Sequence, residues 1–131
     1  MKKFEEMFQK ADWKSEKHVP VIEIPEKIKK EENIKITVSV GKEIPHPNTT
    51  EHHIAWIDIY FYPDGEKFPF HIGKFEFAAH GASTEGSNRS SIYTHPKVTF
   101  TIKTGKSGTI LASSYCNIHG LWVNSTEIKL D

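Results

Sequence analysis

Apolar and polar residues alternate along much of the chain. Ile34, Ile36, Val38 and Val40 occupy every second position of segment 33–40, and such alternation predicts a strand with one buried face. Further strand-like runs follow at residues 53–62, 68–80, 97–103, 109–115 and 126–130. About seven short strands without helical patterns between them predict an all-β fold, an antiparallel β-sandwich of immunoglobulin-like type.

Glycine and proline mark the connections between these runs. Pro63-Asp64-Gly65 and Gly105-Lys106-Ser107-Gly108 lie between strand-like segments, where these residue types supply the backbone angles of chain reversals. Both are predicted to be hairpin connections. Residues 81–91 are polar and are predicted to form an exposed loop.

Helical spacing occurs only near the start of the chain. Phe4, Met7 and Phe8 stand at i, i+3 and i+4, which predicts a short amphipathic helix within residues 1–13 that packs through these side chains. The full length of 131 residues fits a single domain, because one hydrophobic core is typical of roughly 100 to 150 residues. We therefore expect residues 1–131 to form one domain with one site.

The balance of charge argues against two classes of partner. Basic and acidic residues both number 17, and Arg89 is the only arginine. Nucleic-acid binding draws on excess positive charge and on arginine, so we expect no nucleic-acid partner. No run approaches the ~20 apolar residues of a membrane span, so we expect no membrane association either.

The chain has one cysteine, Cys116. A single cysteine excludes an internal disulfide, and its free thiol suits a reducing compartment better than an oxidising one. We therefore expect a cytoplasmic protein.

Histidines are numerous and unevenly distributed. Three of the eight, His46, His52 and His53, fall within eight positions. Pro45 and Pro47 exclude a regular helix or a central strand there, so the segment is predicted to be a loop. A loop that bends back can direct two imidazoles six residues apart at one point, whereas a rigid helix would turn them to different faces.

Cys116 and His119 lie three residues apart at the end of the predicted strand 109–115. Gly120 follows and allows the backbone to turn, so that thiolate and imidazole can converge. A Cys-x-x-His pair alone is a weak signal, because short motifs produce false positives. Together with the histidine-rich loop, the pair predicts a shared metal ion.

His18 lies between Lys17 and Val19-Pro20, and Glu16 precedes them. Taken alone, His18 is most simply a surface histidine, and Glu16 and Lys17 are solvated charges. The remaining histidines have no comparable partners and are predicted to be surface or hydrogen-bonded structural residues. These are His53, His71, His80 and His95.

Three segments together resemble the superoxide reductase family. They are Glu16-Lys17-His18-Val19-Pro20, His46-Pro47-Asn48-Thr49-Thr50-Glu51-His52 and Cys116-Asn117-Ile118-His119-Gly120. The resemblance is to the one-iron members, also called neelaredoxins, and to the iron-binding domain of desulfoferrodoxin, from about Lys14 onwards. Because the three motifs occur in the family's order and spacing, the joint match is far more specific than any one motif.

The resemblance implies one mononuclear non-haem iron ion (Fe2+/Fe3+) per chain, on an immunoglobulin-like sandwich. The axial ligand would be the thiolate of Cys116. The equatorial ligands would be the imidazoles of His18, His46, His52 and His119. Four nitrogens and one thiolate exceed the ligand set of a structural zinc site and leave one octahedral position open.

The implied activity is one-electron reduction of superoxide to hydrogen peroxide, an antioxidant oxidoreductase reaction. The resemblance also implies that Glu16 occupies the sixth position in the oxidised resting state and that Lys17 is the cation that assists superoxide. It suggests a rubredoxin-type electron donor and a homo-oligomer, since tetramers occur in the family. Two-iron relatives need four further cysteines, so a second iron centre is excluded here.

Three other classes of protein compete with this interpretation. A cupredoxin-like electron carrier would use two histidines, a cysteine and usually a methionine, but Met1 and Met7 are far from Cys116 in sequence. A binding or structural sandwich with a closed zinc site would be colourless and redox-silent. Nucleophilic catalysis by Cys116 with His119 lacks a recognisable orienting acid or oxyanion hole.

Overall fold

Eight strands account for nearly all the regular structure of the protein. The structure is a computed structural model that describes all 131 residues. In chain order the strands are β1 (Phe8–Gln9), β2 (Val21–Glu23), β3 (Ile34–Ser39), β4 (Ile54–Pro63), β5 (Phe70–Glu76), β6 (Lys97–Ile102), β7 (Gly108–Cys116) and β8 (Gly120–Ile128).

The strands form two sheets that enclose the core. A five-stranded sheet has the order β1-β8-β7-β4-β5, and a three-stranded sheet has the order β2-β3-β6. All neighbours are antiparallel except β1 and β8. Fourteen buried apolar residues form one core cluster, including the alternating Ile34, Ile36 and Val38 of β3. The all-β, immunoglobulin-like sandwich predicted from the alternation is confirmed.

The N-terminal segment differs from its prediction. Residues Phe4–Met7 form a single 3-10 turn in place of an amphipathic helix, and the side chains of Phe4 and Met7 are exposed. The prediction that they pack into the protein is wrong. Four residues are too few to sustain a helix, and Phe8 instead begins β1, where it pairs with Leu121 of β8.

The two connections predicted to be hairpins, at residues 63–65 and 105–108, have different roles. Pro63-Asp64-Gly65 starts the hairpin between β4 and β5, as predicted, and Gly65 has a φ of +80°. Residues 105–108 join β6 of the small sheet to β7 of the large one, so the hairpin predicted there is wrong. The loop at residues 81–91 is largely exposed, as predicted.

One end of the sandwich gathers the three chemically distinctive segments. Residues 117–119 join β7 to β8 in a tight hairpin, in which Cys116 pairs with Gly120 and also with Ile54 of β4. Residues 41–53, here called the histidine loop, lead from β3 into β4 without regular structure. Residues 16–20 immediately precede β2. The structure contains no helix with the length and apolar character of a membrane span.

Candidate metal centre

Five side chains singled out from the sequence converge at this end of the sandwich. The ligand atoms of His18, His52, Cys116 and His119 all lie within 4.8 Å of one another. The ring of His46 has its centroid 4.8 Å from those of both His18 and His52. The fold thus brings together residues that are up to 101 positions apart in sequence.

The segment Cys116–Gly120, here called the Cys-x-x-His turn, presents two of these groups. Gly120 has a φ of +81°, which closes a three-residue hairpin loop in the left-handed conformation that glycine favours. Cys116 is fully buried, and its Sγ accepts a hydrogen bond from the backbone N–H of His119 at 3.3 Å. The Nδ1 atom of His119 lies 3.9 Å from that sulfur and 3.2 Å from Nε2 of His18.

His18 is held from two sides. The same carboxylate oxygen of Glu16 accepts hydrogen bonds from Nδ1 and the backbone N–H of His18, at 2.6 and 2.8 Å. The indole of Trp122 stacks on the imidazole with centroids 4.8 Å apart and planes 13° apart, and its Nε1–H donates to the carbonyl of His119. Sequence reasoning missed Trp122, because no spacing rule relates position 122 to position 18.

The histidine loop contributes two imidazoles with unused nitrogens. Nδ1 of His46 donates to the carbonyl of Pro47 at 2.7 Å, so Nε2 carries the free lone pair. The Nε2 atoms of both His46 and His52 are buried without a hydrogen-bond partner in the protein. Buried polar atoms without partners are costly, and a metal ion bound between the rings would satisfy both of them.

Burial keeps these two imidazoles neutral. It lowers the pKa of His46 to about 4, with repulsion from His18, His52 and Lys17 acting in the same direction. It also lowers the pKa of His52, together with repulsion from His119, His18 and Lys17. Neutral imidazole is the form that binds metal, so both rings are ready to coordinate at neutral pH.

Glu16 and Lys17 flank the cluster with opposite charges. Burial acts to raise the pKa of Glu16, but hydrogen bonds and charge from His18 outweigh it and hold that pKa below its usual value. Lys17 is partly buried and close enough to influence both His46 and His52. It takes part in none of the protein's ion pairs, so its charge is left uncompensated.

The other four histidines lie outside the cluster. His53 donates from Nδ1 to the carbonyl of Thr49 at 2.9 Å and stacks on His80, which is itself hydrogen-bonded to the carbonyl of Phe77. His71 contacts Asp58 at 2.5 Å on the five-stranded sheet. His95 is exposed. Hydrogen bonds to other parts of the protein thus occupy three of these four rings.

The donor set fits iron better than the alternatives. Four imidazoles and one thiolate exceed the four ligands of a closed structural zinc site. A cupredoxin-like site would need fewer histidines and an axial methionine, whereas Met1 and Met7 are exposed in the N-terminal segment. The residues present therefore suit a mononuclear iron ion with one position left for substrate.

Comparison with known proteins identifies the family. The desulfoferrodoxin family model matches residues 10–125. The chain is 53% identical to the superoxide reductase of Pyrococcus furiosus, over 95% of this chain and 98% of the relative. It is also 53% identical to the neelaredoxin of Megalodesulfovibrio gigas, over 95% of this chain and 96% of the relative.

A solved structure agrees with the sequence comparison. The superoxide reductase (neelaredoxin) of Archaeoglobus fulgidus in the reduced form superimposes with a TM-score of 0.89 at 57% identity, covering 95% of this chain and 99% of the other. The chain therefore belongs to the superoxide reductase family, in the one-iron branch that includes the neelaredoxins. It is accordingly an oxidoreductase, and the family's His/Cys site implies iron.

Proposed function

We propose that this protein reduces superoxide to hydrogen peroxide at a single iron ion bound at the converging site. The proposed ligands are His18, His46, His52, His119 and Cys116. The observation that carries the proposal is the pair of buried Nε2 atoms of His46 and His52, which have no hydrogen-bond partner in the protein although both rings lie beside that of His18. Iron bound there would give one electron to superoxide, which takes up two protons and leaves as hydrogen peroxide.

The protein's own residues prepare this chemistry before substrate arrives. Burial of Cys116 and its hydrogen bond from the N–H of His119 would hold the thiolate in one place. With iron bound, the thiolate would tune the metal through its electron density, as it does in thiolate-ligated haem. The imidazoles of His46 and His52, whose pKa values are lowered, would add no charge, so Lys17 is the protein's own source of positive charge beside the site.

Lys17 and Glu16 are proposed to act on substrate and product. The unpaired ammonium of Lys17 is suited to attract an anion to the site. The carboxylate of Glu16 is hydrogen-bonded to Nδ1 of His18 at 2.6 Å, and we propose that it leaves this contact to become the sixth ligand of the oxidised resting state.

The same proposal extends to the partners and the setting of the protein. His119 and Ile118 are exposed, so a rubredoxin-type donor could bring its own metal close to this centre.

The exposed Phe4 and Met7 are consistent with a homo-oligomer such as a tetramer. The single free thiol fits a cytoplasmic location, and the one core cluster supports a single domain over residues 1–131.

Metal analysis combined with rapid kinetics tests the proposal. We expect one iron per chain, a thiolate-to-iron charge-transfer band in the oxidised protein, and rapid loss of superoxide after pulse radiolysis of the ferrous protein. His46→Ala should reduce iron retention, whereas His95→Ala, at an exposed position outside the cluster, should not. Purified protein that preferentially binds colourless zinc and does not react with superoxide would refute the assignment.

A further inference from the structure

Asn117 connects the Cys-x-x-His turn to the histidine loop. Its side-chain Oδ1 accepts a hydrogen bond from the backbone N–H of His53 at 2.9 Å. Its Nδ2 donates to the carbonyl of Glu51 at 2.8 Å. Its own backbone N–H donates to the carbonyl of His53 at 3.2 Å. The three bonds therefore hold the chain on both sides of His52.

His52 depends on its backbone for orientation more than the neighbouring imidazoles do. The ring of His18 is fixed at Nδ1 by Glu16, and the ring of His46 is fixed at Nδ1 by the carbonyl of Pro47. The ring of His52 makes no hydrogen bond within the protein, and only its backbone is engaged, because both its N–H and its carbonyl bond to Thr49. Its direction must therefore follow from where residues 51–53 lie.

We propose that Asn117 is a positioning residue that holds His52 in register with Cys116 and His119. The inference rests on the proposed function, because it concerns three of the proposed iron ligands. A side-chain amide presents a donor and an acceptor in one plane, so Asn117 pairs with the loop as a neighbouring strand would. Three ligands from two separate segments then form one rigid unit.

The histidine loop has a second anchor that provides a matched control. Asn88, in the exposed loop 81–91, donates to the carboxylate of Glu51 at 2.8 and 3.0 Å and accepts from the backbone N–H of Thr50 at 2.8 Å. Asn88 binds the same stretch of chain but makes no hydrogen bond to the Cys-x-x-His turn. Removing its side chain should loosen the histidine loop while the hydrogen bonds of Asn117 remain.

The experiment compares Asn117→Ala, Asn117→Asp and Asn88→Ala with the unaltered protein, all loaded anaerobically with Fe2+. We expect Asn117→Ala to weaken iron binding about 10- to 100-fold in a chelator competition, the usual effect of removing a group that orients a ligand. It should also shift the charge-transfer band of the oxidised form. Asn88→Ala should change the affinity by no more than about twofold.

Asn117→Asp separates positioning from general stability. Aspartate keeps the acceptor for His53 but loses the donor for Glu51, so we expect an affinity between those of the unaltered protein and Asn117→Ala. Unfolding curves of each metal-free variant would identify any variant that fails to fold. If Asn117→Ala fails to fold, Asn117→Asp still tests the inference. Unchanged affinity and spectrum in the Asn117 variants, or an equal loss in Asn88→Ala, would overturn the inference. Failure of the unaltered protein to bind iron would instead overturn the proposed function.

Discussion

At the scale of single residues, the titration of His46 links the site to the stability of the protein. Its pKa is lowered from 6.5 to about 4, mainly by burial. At His46 the unfolded chain therefore binds more protons than the folded one between about pH 6.5 and 4, so we expect this residue to lower the stability of the metal-free protein as pH falls through that range. Above pH 6.5 the contribution of neutral His46 to the free energy of unfolding is fully present. Its complete loss at low pH would lower that free energy by about 3 kcal/mol at most.

Urea unfolding of the metal-free protein between pH 7 and pH 4.5 measures this dependence. The lowered pKa of His52 adds a loss of the same sign. His46→Gln removes one titrating group and should flatten the curve by up to about 1.4 kcal/mol per pH unit. The exposed His95→Ala should leave the slope as it is. A slope in His46→Gln as steep as in the unaltered protein would mean that His46 does not titrate as described.

At the scale of elements, Gly120 decides how the Cys-x-x-His turn is built. Its φ of +81° is disfavoured for side chains with a β-carbon, although an added Cβ would meet nothing within 4 Å. Gly120→Val should therefore destabilise the fold through backbone strain alone, by roughly 1–2 kcal/mol. Because Gly120 follows His119, the same strain should displace that imidazole and weaken iron binding.

Gly65 offers an unusually close control for this substitution. It has a φ of +80°, also with nothing within 4 Å of an added Cβ, but it lies in the β4–β5 hairpin away from the site. Gly65→Val should cost similar stability and leave iron affinity unchanged. Calorimetry and chelator competition on both variants make the comparison. Equal iron affinities in Gly120→Val and Gly65→Val would contradict the prediction, because strain at Gly120 would then have no effect on iron binding.

The strands were predictable to the degree that each has one buried and one exposed face. β3 satisfies this condition, and its alternation located it to within one residue at each end. β8 runs from Gly120 to Ile128, but only its end was predicted. Residues Gly120–Asn124 are all of intermediate burial, partly because β1 pairs with this stretch, so alternation there is weak. Local turn chemistry likewise could not distinguish a hairpin from a link between sheets at residues 105–108.

The candidate site shows the same division between local and long-range information. Local patterns nominated the Cys116 and His119 pair and the histidine loop, whereas His18 was nominated only through the family resemblance of its segment. Trp122 and Asn117 act on His18 and on the chain around His52, across 104 and about 65 positions. Their roles follow from the pairing of distant strands and loops, which no local pattern contains.

At the scale of the whole molecule, attraction of superoxide cannot depend on net charge. The 17 basic and 17 acidic residues cancel, so any electrostatic guidance must come from local charge near the site. Lys17 is partly buried beside the imidazoles and has no ion-pair partner. We therefore expect Lys17→Ala to slow the second-order reaction with superoxide by several-fold, on the order of tenfold at most.

Salt dependence distinguishes a local field from a general one. The effect of Lys17→Ala should be largest at low ionic strength and should shrink as the screening length falls to about 10 Å at 0.1 M salt. Lys106→Ala changes the net charge equally, but Lys106 lies near the start of β7, about 25 Å along the strand from Cys116. Pulse radiolysis of both variants over a range of salt concentrations should therefore find slowing only in Lys17→Ala. Equal rates in the two variants at low salt would refute the guidance role, because a nearby cation must act more strongly than a distant one.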